Sequence, residues 1–172
     1  MVRKVVLFAV MVLAVGWTTN ATAYQAWGSR YDHYCITYSE GLGEAVRQWT
    51  AVSALEDCGV SDTPDIALEI LEPWPVSGAI GRAMRWGDGT TITHALIQVP
   101  ESHATDLGVL AHEVGHALGL GHSDDPDALM HKYCCAPMSP DDVAAIVSIY
   151  GTDNHRQHLT GTYRLVVPGV AR

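Results

Sequence analysis

Residues 112–122 decide how the chain folds, and they read His112-Glu113-Val114-Gly115-His116-Ala117-Leu118-Gly119-Leu120-Gly121-His122. Residues four apart on a helix lie one turn above each other, so His112 and His116 share a face. His122 lies six residues further on, a spacing that 3.6 residues per turn does not bring to that face. Gly119 can adopt the positive φ that ends a helix and turns the chain back. The stretch therefore predicts a helix that ends near Leu118 and a chain that returns to its two histidines.

Three imidazoles brought together in this way can hold one metal ion. Three neutral histidines leave the fourth position of a tetrahedral zinc site open, which is typical of catalytic rather than structural zinc. Glu113 directly follows His112, close enough to reach a water molecule on such an ion. We therefore predict one catalytic Zn²⁺, with His112, His116 and His122 as the metal ligands and Glu113 as the catalytic residue.

The first residues are typical of a secretory signal rather than of a folded domain. Basic residues at 3–4 precede an unbroken apolar run, Val5–Val15, and Ala21-Thr22-Ala23 supplies a small-x-small cleavage pattern. The apolar run is shorter than the roughly 20 residues that a membrane-spanning helix needs. We predict a signal peptide at residues 1–23 and a secreted protein, extracellular or, in a bacterium, periplasmic.

The charge balance narrows the range of partners. The formal net charge is −9, and Lys132 is the only lysine beyond residue 4. Proteins that bind nucleic acids need basic residues to replace the counterions of the phosphates. We therefore expect no nucleic-acid partner and no stable membrane association once the signal is removed.

The hydrophobic pattern predicts a single α+β domain at residues 24–151, followed by a weakly patterned tail at 152–172. Apolar residues from Ala45 to Leu55 recur at helical spacing, and Asp88-Gly89 between two extended runs is a strong hairpin signal. Ser139 followed by Pro140 is typical of a helix start. In chain order we predict a strand at 33–38, a helix at 43–56, a turn at 59–64, a strand at 65–71, hairpin strands at 79–86 and 90–99, helices at 107–118 and 140–150, and an optional edge strand at 163–167.

Four cysteines remain after the predicted cleavage, namely Cys35, Cys58, Cys134 and Cys135. An even number in an exported chain favours disulfide bonds over free thiols. The first cysteine opens the first strand, and the following helix returns the chain to the same end of the sheet, as in a right-handed crossover. We therefore expect a Cys35–Cys58 disulfide, which leaves Cys134 and Cys135 to pair with each other.

Residues 112–122 resemble the metzincin metallopeptidase signature, H-E-x-x-H-x-x-G-x-x-H. Within that clan the chain is similar to the matrixins, the group that contains the matrix metalloproteinase catalytic domains. Three further parts of the chain support this resemblance. Residues 122–130 are similar to H-S-x-x-x-x-A-L-M, with Met130 as the Met-turn, and residues 141–151 are similar to the closing helix. Residues 35–38 are similar to the opening strand, the helix that contains Trp49 to the first helix, and residues 65–70 to a central strand.

The resemblance implies a zincin-like α+β fold: a mixed twisted sheet with an antiparallel edge strand, an active-site helix and a C-terminal helix. It implies a zinc-dependent metalloendopeptidase that hydrolyses peptide bonds in proteins through a zinc-bound water, with Glu113 as the general base. A protein or peptide substrate would extend along the outer hairpin strand near residues 79–85, and we expect a monomer. Two alternatives stay open: a zinc-dependent binding protein that retains the fold without turnover, and a metallopeptidase acting on cell-wall peptides.

The chain also departs from the matrixin pattern. We expect no inhibitory pro-segment and no structural zinc or calcium loop, because residues 86–90 alone join the two hairpin strands. His94 and His103 are accordingly expected to be ordinary surface histidines. The Met-x-Pro of the family is replaced by residues 130–135, so the cleavage preference does not carry over. In some metzincins a tyrosine after the Met-turn approaches the metal. The number of residues between Met130 and Tyr133 differs from the spacing in those proteins.

Overall fold

The computed structural model describes residues 24–152, and for residues 24–26 it describes only the backbone. The predicted signal peptide and the predicted edge strand at 163–167 lie outside the described residues. The strands are β1 (Tyr24–Ala26), β2 (Cys35–Tyr38), β3 (Glu56–Val60), β4 (Ile66–Leu71), β5 (Arg82–Gly87), β6 (Ile92–Pro100) and β7 (Leu120–Ser123). The helices are α1 (Gly43–Thr50), α2 (Leu107–Ala117) and α3 (Pro140–Tyr150), with a 3₁₀ turn at Glu101–His103.

Five strands form one mixed sheet in the order β3-β2-β4-β6-β5. The pairs β2–β3, β2–β4 and β4–β6 are parallel, and β5 pairs with β6 antiparallel at the edge. In the hairpin turn, the Asp88 carboxylate accepts hydrogen bonds from the backbone N–H groups of Thr90 and Thr91. The predicted α+β fold with an antiparallel edge strand is confirmed.

Helix α2 packs against α1 in the core of the domain. The buried indole of Trp49 on α1 donates a hydrogen bond to the carbonyl of Ala111 on α2, at 2.9 Å. Apolar residues of the central strands, such as Ile66 and Ile97, are also fully buried in this core. No helix within residues 24–152 has the length and apolar character that crossing a bilayer requires.

The sequence prediction was wrong between residues 51 and 60. Helix α1 ends at Thr50 rather than Glu56, and strand β3 covers the expected end of that helix and the first two residues of the turn expected at 59–64. Leu55 fits the helical spacing of the apolar residues, but tertiary packing buries it outside the helix. The neighbouring N–H of Ala54 donates to the carbonyl of Gly151, a contact that no local pattern encodes.

The short strands β1 and β7 were also missed. They pair antiparallel with each other in a separate two-stranded sheet. Both are too short to show the alternating pattern by which strands are recognised in a sequence. Their pairing fixes the chain that follows α2 against the start of the domain.

The cysteine pairing agrees with the expectation. Cys35 on β2 and Cys58 on β3 form a disulfide, with their Cα atoms 5.5 Å apart. These strands are parallel neighbours, which is the crossover geometry on which the expectation depended. Cys134 and Cys135 are joined to each other by the second disulfide.

Candidate active site

Helix α2 lies inside the domain rather than on its surface. The Asp106 carboxylate caps its start by accepting from the N–H groups of Gly108 and Val109, and every residue from 109 to 117 is buried. A Cβ atom at Gly115 would overlap the sulfur of Met130 and the ring of Trp49. Only glycine therefore allows the helix to lie this close to its neighbours.

The chain leaves α2 through the predicted turn. Gly119 has a φ of +104°, and a Cβ atom there would overlap the carbonyl oxygen of Ser29. Both the left-handed conformation and the close approach require glycine at this position. The chain then enters β7, which brings His122 back toward the helix.

The three predicted ligands converge at the end of this turn. The side-chain nitrogens that His112, His116 and His122 can offer lie within 4.8 Å of one another, and the Nε2 atoms of His116 and His122 are 3.2 Å apart. Nδ1 of His112 is 2.7 Å from the carbonyl oxygen of Leu129, and Nδ1 of His116 is 2.8 Å from that of Leu120. A ring that donates from Nδ1 to a carbonyl presents the lone pair of Nε2 to a metal.

The surroundings of these histidines keep them unprotonated. Burial lowers the pKa of His116 to about 3, and burial is also the main cause of the lowered pKa values of His112 and His122. At neutral pH the imidazoles are therefore neutral, which is the form that binds metal ions. The donor set fits one zinc ion.

Glu113 lies beside this group with one oxygen uncommitted. Its side chain is buried, with 6% of the residue exposed, and burial raises its pKa to about 7. Within residues 24–152, buried Oε2 finds no hydrogen-bond partner. A Cβ atom at Gly81 would lie 2.6 Å from Oε1, so the segment before β5 approaches this carboxylate closely. The free oxygen is a ready acceptor for a water molecule near the three imidazoles.

A cleft of about 490 Å³ opens over these four residues. One part of its lining is the segment that leads into the edge strand β5, which overlaps residues 79–85. Another part is the segment that follows Met130. The lining residues are Trp27, residues 78–83, His112, Glu113, His116, His122 and residues 132–134.

Asp142 is a site residue that the sequence analysis did not single out, although it lies in the stretch 141–151 that is similar to the matrixin closing helix. Its carboxylate is 1% exposed and accepts hydrogen bonds from the N–H groups of Leu129 at 2.8 Å, Met130 at 3.0 Å and Ser139 at 2.7 Å. The carbonyl of Leu129 is in turn the hydrogen-bond partner of His112. Asp142 therefore positions the peptide that orients His112, a predicted metal ligand. The helix start at Ser139 and Pro140 places Asp142 in the first helical turn, but no pattern in the sequence indicated this contact.

Trp27 was missed altogether. Its ring stacks on that of His116, with the centroids 5.3 Å apart and the planes 9° apart. The Arg85 guanidinium lies 4.0 Å from the centre of the indole ring. Trp27 thus covers one of the predicted metal ligands and forms part of the cleft wall. It precedes the first predicted strand, where no pattern in the sequence pointed to the site.

His94, His103 and Tyr133 are not part of the group of three histidines. His94 stacks on Trp86 and is exposed, and His103 is hydrogen-bonded to Ser102. Among the described residues, no second group of three metal-ligating side chains converges. Tyr133 lines the cleft but is 78% exposed, with its ring against that of His131.

Comparison with known proteins agrees with this geometry. The chain is 34% identical to probable matrix metalloproteinase 095L of Invertebrate iridescent virus 3 over 51% of this chain and 20% of that protein. It is 27% identical to matrix metalloproteinase-C of Caenorhabditis elegans over 67% of this chain and 25% of that protein. Metalloendoproteinase 1 of Glycine max is 29% identical over 67% of this chain and 46% of its own length. In each case the match spans less than half of the relative.

A family model decides the assignment. The matrixin model matches residues 59–151, more than half of the chain, and the matched region contains the three histidines, Glu113, the Met-turn and helix α3. The chain therefore belongs to the matrixin family, and it contains a matrixin-type metallopeptidase catalytic domain.

Proposed function

We propose that this protein is a secreted zinc-dependent metalloendopeptidase that hydrolyses peptide bonds in proteins. His112, His116 and His122 hold one zinc ion, and Glu113 is the general base. The observation that carries the proposal is the convergence of three neutral imidazoles beside a buried carboxylate with a free oxygen. All four side chains lie in an open cleft, where a peptide can reach them.

In the proposed reaction, Glu113 transfers the proton while a bound zinc ion polarises the reacting groups. Zinc, when bound, supplies the Lewis acidity that activates a water molecule and polarises the scissile carbonyl. Glu113 accepts a proton from the attacking water at its free oxygen and passes it to the leaving amide nitrogen as the C–N bond breaks. Burial raises the pKa of Glu113 to about 7, a value suited to a group that both accepts and donates a proton near neutral pH.

The edge of the sheet supplies the binding surface for the substrate. Strand β5 pairs with β6 on one side, and it is the last strand of the five-stranded sheet. An extended peptide can add to such an edge through backbone hydrogen bonds. The segment at residues 78–83 lines the cleft, so a peptide bound there would run past Glu113 and the histidines.

Export is supported by the predicted signal at residues 1–23 and by the disulfide between Cys35 and Cys58. Disulfides persist in oxidising compartments outside the cytosol. The proposed mature protein therefore comprises a catalytic domain at residues 24–151 and a tail at 152–172.

The test is hydrolysis of casein by residues 24–172, with and without 1,10-phenanthroline. Metal analysis should find about one zinc per chain, and His112→Ala should lose zinc and activity together. Glu113→Gln should retain zinc and fold while hydrolysis falls by about 10²–10⁴-fold, because the base is removed. Glu101→Gln, on the exposed 3₁₀ turn, is the matched control and should hydrolyse casein normally.

The same assay separates the two alternatives. A binding protein would keep its zinc and bind peptides without any chelator-sensitive hydrolysis. A cell-wall enzyme would release peptides from peptidoglycan and leave casein intact. Unchanged turnover by Glu113→Gln would contradict the proposed mechanism.

A further inference from the structure

We propose that Trp27 is a positioning residue of the metal centre, and that its indole fixes the imidazole of His116 in the orientation that binds zinc. The proposal rests on the proposed function, because it concerns the same three histidines. It starts from the geometry of one ring pair. The indole of Trp27 and the imidazole of His116 are nearly parallel, with 9° between their planes and 5.3 Å between their centroids.

The imidazole of His116 needs a second constraint besides its hydrogen bond. Its Nδ1 atom lies 2.8 Å from the carbonyl oxygen of Leu120, but a carbonyl oxygen accepts over a broad range of directions, so this contact alone lets the ring tilt. A parallel aromatic ring opposes that tilt, because tilting the imidazole would break the offset-stacked contact. The Nε2 atom of His116 then stays 3.2 Å from Nε2 of His122, where both nitrogens can bind one ion. Within residues 24–152, His116 is the only predicted ligand with a parallel aromatic ring beside it.

The backbone of Trp27 is tied to the turn that joins two of the predicted ligands. Its N–H donates a hydrogen bond to the carbonyl of Gly119 at 3.3 Å. Gly119 is the residue at which the chain leaves α2 and turns back toward His122. Strand β1 directly precedes Trp27 and pairs with β7, which contains His122. The indole is therefore attached to the same segment whose side chains it would position.

Arg85 contacts the indole from the edge strand. It lies on β5 four residues after Gly81, so the alternation of side chains along a strand puts both on the side that faces Glu113. Its guanidinium carbon is 4.0 Å from the centre of the Trp27 ring, within the range of a cation–π contact. Among residues 24–152 no carboxylate forms an ion pair with Arg85, and its buried Nη1 atom has no hydrogen-bond partner. The indole is therefore a stabilising partner for this cation, and the contact keeps the indole in place.

A contact with the substrate is the other role open to this indole, because Trp27 is 47% exposed and lines the cleft. The two roles change different quantities. A substrate contact changes KM, whereas a positioning residue changes the metal centre before any peptide binds. Groups that orient a metal ligand typically contribute about 10- to 100-fold to metal affinity. We expect about 10-fold for Trp27→Ala, the lower end, because the Nδ1 hydrogen bond of His116 remains.

The experiment measures metal binding by the purified protein with no peptide present. Competition with a chromophoric chelator gives the zinc affinity, and the visible absorption spectrum of the Co²⁺-loaded protein reports the arrangement of the ligands. Trp27→Ala should lower zinc affinity by about 10-fold and change the cobalt spectrum. Trp27→Phe keeps a ring that can stack and should restore both properties. Trp27→Leu keeps apolar bulk without a ring and should resemble Trp27→Ala.

Trp86→Ala is the matched control. Trp86 is 42% exposed and stacks on His94 with 5° between the ring planes, outside the cleft, so its loss should leave zinc affinity and the cobalt spectrum unchanged. Arg85→Gln removes the cation beside the indole and should lower zinc affinity. That effect should largely disappear in a protein that already contains Trp27→Ala, because the two residues act through one contact.

Circular dichroism in EDTA identifies the folded variants, and if Trp27→Ala does not fold, the comparison of Trp27→Leu with Trp27→Phe decides the proposal. Unchanged zinc affinity and an unchanged cobalt spectrum for Trp27→Leu would overturn the positioning role. A rise in KM alone would then assign Trp27 to the wall that contacts the substrate. Failure of the unsubstituted protein to hydrolyse casein would overturn the proposed peptidase, while the metal-binding comparison would still decide the role of Trp27. A protein that binds neither zinc nor cobalt would overturn both proposals.

Discussion

Replacement of Asp142 by Asn should lower both the stability of the domain and its affinity for zinc. Asparagine has one acceptor oxygen where the carboxylate has two. With that oxygen at the Oδ2 position, the N–H groups of Leu129 and Ser139 keep their acceptor, whereas the amide NH₂ faces the N–H of Met130. The substitution therefore leaves one buried donor without an acceptor and removes the charge that strengthened the other two hydrogen bonds.

The magnitude follows from these three contacts. An unsatisfied buried donor costs about 1–3 kcal/mol, and each hydrogen bond to a charged group contributes about 1.5–3 kcal/mol, roughly twice a neutral one. We expect the free energy of unfolding to fall by about 3–5 kcal/mol, a large part of the 5–15 kcal/mol of a typical domain. Because Leu129 also orients His112, zinc affinity should fall by about 10- to 100-fold.

Urea unfolding in the presence of EDTA measures the stability without a contribution from zinc. Competition with a chromophoric chelator measures zinc affinity, in conditions where circular dichroism shows Asp142→Asn to be folded. Asp127→Asn, at an exposed position, is the control and should change stability by no more than about 0.5 kcal/mol. If Asp142→Asn matched the control in both measurements, α3 would not position the proposed zinc ligand His112.

Three further predictions concern the core, the pH range and the mature terminus. Gly115→Ala should destabilise the domain by about 1–3 kcal/mol in urea unfolding, because the added methyl group meets Met130 and Trp49; an unchanged midpoint would contradict the packing. Burial raises the pKa of Tyr150 from 10 to about 12. The neutral Tyr150 hydroxyl therefore contributes fully to the free energy of unfolding below pH 10, and up to about 3 kcal/mol of that free energy is lost as the pH rises toward 12. Tyr150→Phe should therefore lose less stability than the unsubstituted protein between pH 9 and 11. N-terminal sequencing of the exported protein should begin at Tyr24, and a later start would rule out the predicted cleavage.

Elements with strong local signals were predictable from the sequence. Helix α3 has its capping serine, proline and first-turn acids within four residues, and the β5–β6 hairpin has Asp88-Gly89 at its turn. Strand β3 was not predictable, because its position depends on contacts such as that of Ala54 with Gly151, far away in the sequence. Helical spacing continued past Thr50 in the sequence, but tertiary packing determined where the helix ended.

The candidate site also contains features that the sequence predicted and features that it did not. The convergence of His112, His116 and His122 follows from spacing along one helix and one glycine turn, so the sequence alone predicted it. The contacts of Asp142 with the Met-turn and of Trp27 with His116 join segments far apart in the chain. No periodicity or capping rule reports such distances, and only the folded arrangement reveals them.

The hydrogen bonds of Asp142 also determine the order in which the parts of the site can form during synthesis. A chain is synthesised from its amino end, so His112, His116 and His122 all emerge from the ribosome before Asp142 does. Until α3 folds onto the Met-turn, the peptide between Leu129 and Met130, whose carbonyl contacts His112, lacks the carboxylate that holds it in place. The nascent chain therefore contains all three proposed ligands before it can hold them in a binding geometry, so the proposed metal centre would form last. Hydrolytic capacity would then appear only once the domain is complete through α3.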